Sequence, residues 1–128
     1  MILGTGVDII EVERIRTAVA RFGDRFLNRV LTPAELDYCR RHRDPTPCLA
    51  ARFAAKEAVS KAFGTGIGTA LGWLDIEVQR RGSGEPHVIL HGKGREMYAA
   101  RAATALQLSL SHTAQYAVAI ALLEGVRA

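Results

Sequence analysis

The chain has 128 residues, 48% of them hydrophobic, a length that supports one core and is short for two ordinary domains, so residues 1–128 are expected to form a single domain. No apolar run nears the ~20 residues of a membrane span, and Met1-Ile2-Leu3-Gly4 reaches Asp8 before a signal-peptide core could form, which implies a soluble, cytoplasmic protein with no membrane partner. With 17 Lys and Arg against 13 Asp and Glu the formal charge is +4, which favours anionic partners, while 6% aromatic residues leave few stacking platforms for single-stranded nucleic acid.

Residues 2 to 7, ILGTGV, form a short apolar run suited to a buried strand or turn, with Asp8 at its end. From about Glu11 to Val30, the residues Val12, Ile15, Val19, Phe22 and Phe26 recur at spacings of three and four, predicting an amphipathic helix whose middle is weakened by Gly23. Thr32-Pro33-Ala34-Glu35 combines a capping residue, an N1 proline and a glutamate at N3, so a second helix is expected to run to about His42. The segment 43–47 breaks the chain, and Thr46 before Pro47 predicts the cap of an alanine-rich helix through about Phe63. Gly64-Thr65-Gly66-Ile67-Gly68 stops that helix in a loop.

Residues 74–78 and 87–90 read as strands joined by Arg81-Gly82-Ser83-Gly84, residues 93–104 as a helix, and residues 106–110 and 116–123 as a second hairpin around Ser111-His112-Thr113. The fold class is therefore α+β, with helices mainly in the first half. Cys39 and Cys48 are separated by a helix end and a proline-containing loop, and both are expected to be free thiols.

On the helix 46–63, Phe53, Glu57 and Lys61 share one face because residues four apart are neighbours. Taken alone, Glu57 and Lys61 read as an ion pair worth about 0.2 to 0.5 kcal/mol, and Asp8 as a helix cap. Taken together they supply oxygen ligands for a hard cation and a positive charge for phosphate, as metal-assisted phosphoryl chemistry requires.

In sequence order, Gly6-Val7-Asp8, Phe53-Ala54-Ala55-Lys56-Glu57-Ala58-Val59-Ser60-Lys61, the following Gly-Thr-Gly and a Ser-His-Thr turn before an alanine-rich strand resemble the holo-acyl-carrier-protein synthases, small bacterial 4′-phosphopantetheinyl transferases. The resemblance spans nearly the whole chain. It implies that family's fold, an antiparallel sheet packed with a long central helix. It also implies transfer of 4′-phosphopantetheine from coenzyme A to a serine of apo acyl carrier protein, releasing 3′,5′-ADP in support of fatty acid biosynthesis. By the same resemblance Asp8 and Glu57 hold Mg2+, Lys61 neutralises phosphate, and Glu57, Lys61 and His112 are the catalytic set. Coenzyme A contacts are implied for Asp8, Arg52, Lys56, Lys61, Gly64, Thr65, Gly66, Pro86, His112 and Thr113, with the loop amides approaching phosphate oxygens. A homotrimer with active sites between subunits is implied too, Arg52 reaching across the interface.

At ~100° per residue, Arg14, Arg21 and Arg25 fall within about 40° of one another on the first helix, with the apolar face roughly 80° to 160° away. This arginine stripe is the expected docking site for the acidic carrier protein. Two further readings are open: a metal-dependent hydrolase of nucleoside diphosphate compounds using the same acids, and a basic nucleic-acid-binding module. The second lacks any aromatic-basic or helix-turn-helix pattern, so no nucleic-acid partner is expected.

Overall fold

The computed structural model describes residues 1–126. Its elements run β1 (Ile2–Glu11), α1 (Val12–Phe22), α2 (Asp24–Val30), α3 (Pro33–Arg40), α4 (Thr46–Ala62), a single 3-10 turn (Trp73–Asp75), β2 (Ile76–Arg80), β3 (Pro86–Leu90), α5 (Gly92–Ala100), β4 (Ala103–His112) and β5 (Tyr116–Gly125). β5 lies between β1 and β4, antiparallel to both, and β2 and β3 form a separate antiparallel pair. No helix among the described residues is long and apolar enough to cross a membrane.

The long helix α4 packs against the three-stranded sheet, and small residues set the separation. Ala50, Ala51, Ala54, Ala55, Ala58 and Ala62 of α4 are all buried, as are Ala117, Ala119 and Ala121 of β5. On β1 the fit is closer still: a Cβ on Gly4 or Gly6 would overlap the carbonyl oxygen of Ala62 or Ala58. Side chains alternate along a strand, so the face of β1 that meets α4 through Gly6 also presents Asp8 and the buried Ile10. The opposite face presents Val7 and Ile9, both exposed.

Several sequence expectations are corrected here. Asp8 lies within a ten-residue strand instead of ending a short one, because β1 stays paired with β5 as far as Glu11↔Tyr116. The helix expected over 11–30 is two helices, since Gly23 at φ 59° and ψ −137° breaks it. Phe22, expected on the buried face, is exposed just before that break. α3 does begin with the Thr32/Glu35 capping box. At α4, Thr46 is the first helical residue, and the Asp44 carboxylate accepts from its backbone N–H at 3.1 Å. The strand expected from Leu74 starts at Ile76, after a turn in which Asp75 Oδ2 accepts from Gly72 N. α5 ends at Ala100, and Ala102 at φ 53° redirects the chain into β4. Cys39 and Cys48 are joined in a disulfide between α3 and α4, their Cα atoms 5.4 Å apart, so neither is the free thiol expected.

Candidate active site

Asp8, Glu57 and Lys61 meet where β1 crosses the C-terminal half of α4. Lys61 Nζ lies 3.3 Å from Asp8 Oδ1 and donates to the Val7 carbonyl at 3.0 Å. Glu57 is one turn earlier on the same helix face and half-buried. Burial raises its carboxyl above the ordinary glutamate value, the nearby charge of Asp8 adds to that, and Lys61 opposes it. Asp8 pairs with the lysine while Glu57 stands within reach of both charges, and the arrangement favours an additional cation.

The donor set fits magnesium, which takes one or two carboxylates and fills its remaining positions with water and substrate phosphate. Among the described residues no cluster of three or more His, Cys, Asp or Glu forms a cage for a metal. Asp8 and Glu57 would therefore act as a two-carboxylate anchor.

The glycine loop begins at the end of α4, but the amides of Gly64, Thr65, Gly66 and Gly68 are occupied. Gly64 N donates to Lys61 O, both Thr65 N and Gly66 N donate to Ser60 O, and Gly68 N donates to Leu71 O. The expected cradle of loop amides around phosphate is corrected: the amides of Gly64, Thr65 and Gly66 close the helix C-terminus, and that of Gly68 closes a turn within the loop.

Arg52 and Lys56 are interior residues, although the sequence placed both against coenzyme A. Arg52 is 2% exposed, its guanidinium lies 4.5 Å from the Tyr38 ring centroid, and Nη1 donates to Cys48 Sγ at 3.3 Å. Its Nε has no hydrogen-bond partner among the described residues. Burial holds its pKa below the ordinary value, and Arg80 adds to the effect. The side chain lines a cavity of about 210 Å³ in its own chain, shared with Arg41 and Arg80, so it is not poised to reach across an interface. Lys56 is fully enclosed, with all of its partners inside the chain. Its expected phosphate contact is corrected, because no donor is left to make it.

His112 ends β4 and is exposed. The register Ile10↔Ala117↔His112 places it two strands from β1, about 10 Å across the sheet. A single chain does not bring it to Asp8. Thr113 Oγ1 accepts from Gln115 N and Tyr116 N and so shapes the turn. Pro86 opens β3 opposite Arg80, beside the Arg41/Arg52/Arg80 cavity. Arg14, Arg21 and Arg25 are all exposed, but the break at Gly23 puts Arg25 on a different helix from the other two. Arg25 joins Arg29, Phe22 and Phe26 around a shallow concavity, and Arg21 lies over the Phe22 ring at 5.3 Å. Arg41, Arg80 and Arg29 escaped sequence reasoning because their grouping depends on how the elements pack; no local pattern marks it.

Residues 4–121 match the family model of the 4′-phosphopantetheinyl transferase superfamily. A holo-acyl-carrier-protein synthase of Koribacter versatilis is 50% identical over 124 residues, covering 97% of this chain and 99% of that protein. One from Chlamydia pneumoniae is 48% identical over 94% of this chain and 96% of its own length. Among solved structures, the holo-acyl-carrier-protein synthase of Neisseria meningitidis superposes with a TM-score of 0.90 at 34% identity, covering 97% of this chain and 99% of that one. That of Helicobacter pylori, solved in complex with coenzyme A, gives 0.84 at 35% identity, covering 94% and 99%.

Proposed function

This chain belongs to the 4′-phosphopantetheinyl transferase superfamily, and we propose on that footing that it transfers 4′-phosphopantetheine from coenzyme A to a serine of apo acyl carrier protein with the aid of magnesium. The observation that carries the reading is the meeting of Asp8, Glu57 and Lys61 in one half-open site, two carboxylates and a lysine positioned for a pyrophosphate.

In the reaction, the seryl oxygen bonds to the β-phosphorus of coenzyme A while the bridge to the α-phosphate breaks, and 3′,5′-ADP departs. Such transfer is governed by positioning and charge. Asp8 and Glu57 would hold the metal, which when bound would supply positive charge against the phosphate oxygens. Lys61 is fixed by the Val7 carbonyl and Asp8, so its ammonium is already oriented when phosphate arrives. Glu57, the carboxylate of the site that Lys61 does not bind directly, is the group we assign as acceptor of the seryl proton. The cavity between Arg41 and Arg80, with Arg52 at its inner wall and Pro86 beside it, takes a phosphate of the nucleotide end. Gly64, Thr65 and Gly66 border the phosphates by position, without their amides.

His112 and Thr113 belong to the second wall of the site. Because one chain holds them away from Asp8, a neighbouring copy supplies them, and the exposed outer face of the sheet supports a homotrimer. Val7, Ile9 and Ile120 are 56%, 66% and 47% exposed on that face. Cross-strand pairing lines up Val7 with Ile120 and Ile9 with Val118, making a continuous apolar patch. Arg14, Arg21 and Arg25 receive the acidic carrier protein, Arg25 through the concavity it shares with Arg29 and Phe22. Activity on a carrier protein of fatty acid synthesis belongs to the same reading, which places the enzyme in the cytoplasm.

Mass spectrometry of apo carrier protein incubated with the chain, coenzyme A and magnesium tests the proposal. The expected result is a gain of one phosphopantetheine, with 3′,5′-ADP released only when apo carrier protein is present. Release without a carrier would favour a hydrolase.

A further inference from the structure

Lys56 precedes Glu57 by one position, and one residue turns a side chain by about 100° around a helix, so the two leave α4 in different directions. The Lys56 and Glu35 side chains are both 0% exposed. The Lys56 ammonium donates to Glu35 Oε1 at 2.7 Å, to the Val30 carbonyl at 2.6 Å and to the Trp73 carbonyl at 3.1 Å, which uses all three of its hydrogens. These acceptors belong to three separate places: the first turn of α3, the end of α2, and the point where the loop after α4 rejoins regular structure.

Glu35 is itself held from both sides. Oε1 accepts from Thr32 N and Oε2 from Val78 N, each at 2.8 Å. The loop of residues 64–72 is tied to α4 at both ends: at its start Thr65 N and Gly66 N donate to Ser60 O, and at its exit the Trp73 carbonyl meets Lys56. The Trp73 ring also packs on Phe53, one turn before Glu57, with centroids 4.7 Å apart. An apolar pair of similar volume would fill this interior as well as an ion pair does. A lysine adds direction, because its hydrogens fix where each carbonyl sits.

We propose that Lys56, oriented by Glu35, is a positioning residue that fixes the exit of the 64–72 loop against the helix carrying Glu57 and Lys61, and so sets the shape of the coenzyme A site. The inference rests on the transferase reading for its kinetic consequence and not for the tether itself.

The test compares the full-length wild type with Lys56→Met, Glu35→Leu and the double variant. Each is measured for KM of coenzyme A, KM of carrier protein, melting temperature and hydrogen exchange of residues 64–73. Each single variant raises the coenzyme A KM by about tenfold, a modest displacement of substrate, and leaves the carrier-protein KM within about twofold. The double variant loses less melting temperature than the two single losses summed, because neither charge is left unpaired, yet keeps a coenzyme A KM about tenfold raised, not a hundredfold, because both changes cut one tether. Exchange in residues 64–73 quickens in the double variant, which buries no unpaired charge and so keeps the readout available even where a single variant is strongly destabilised. The proposal is overturned if Lys56→Met raises the coenzyme A KM while Glu35→Leu leaves it unchanged, which would mean direct phosphate contact by Lys56. It is equally overturned if the double variant recovers KM along with stability, or if loop exchange is unchanged. Wild-type turnover reports separately on the transferase reading, since loop exchange needs no activity.

Discussion

Asp44 shows how one carboxylate organises the entry to the helix that carries the site. It accepts from Arg16 Nη1 and Nη2 at 3.3 and 3.1 Å and from Thr46 N at 3.1 Å, joining α1 to the first turn of α4. The Arg16 hydrogen bonds, followed by the Thr46 backbone bond, bring its carboxyl down from 3.8 to about 2. A depressed carboxyl stabilises the fold above its unfolded value, and that contribution is lost as pH falls through its folded value. Asp44→Asn should therefore lower the melting temperature at pH 7, and the gap from wild type should close between about pH 4 and about pH 2. Melting curves across that range check it; a gap constant with pH would assign the effect to shape instead of charge. Neither the Asp44 cap nor the Arg16 partnership is visible in the local sequence pattern, which points to Thr46 as the capping residue.

Legibility at the scale of elements follows the range of the forces involved. The start of α3 was readable because a capping box is closed within four residues, Thr32 to Glu35. The alanine run of α4 and the motif spacing of Glu57 and Lys61 were readable for the same reason. The split between α1 and α2 was not, because the backbone of Gly23 takes a conformation outside the helical region. The Cys39–Cys48 bond and the burial of Lys56 depend on α3 lying against α4, a contact between residues with no local signal. For the proposed docking surface, the split leaves Arg14 and Arg21 together on α1. Reversing both to Glu should raise the carrier-protein KM by at least about tenfold while leaving the coenzyme A KM nearly unchanged, as expected for charges at an interface rim. Steady-state kinetics with each substrate varied in turn measures this, and equal effects on both would remove α1 from the docking surface.

At the scale of the molecule, the three-stranded sheet has two unlike faces. One face receives α4 so closely that glycine is required at positions 4 and 6, and this approach sets Asp8 against Lys61. The other carries Val7, Ile9 and Ile120 in the open. On the proposed assembly through this face, Ile9→Lys should leave only monomers in light scattering and reduce transfer by about 10²-fold or more, the loss expected when the proposed second wall of the site is removed. A variant that stays assembled and active would detach the patch from function.

The central claim is tested most directly by incubating the chain with apo acyl carrier protein, coenzyme A and magnesium and weighing the carrier by mass spectrometry. The account predicts a gain of one phosphopantetheine on a serine, abolished by Asp8→Ala with Glu57→Ala. A carrier that gains no mass while coenzyme A is cleaved, or one modified equally well by the double variant, would contradict it.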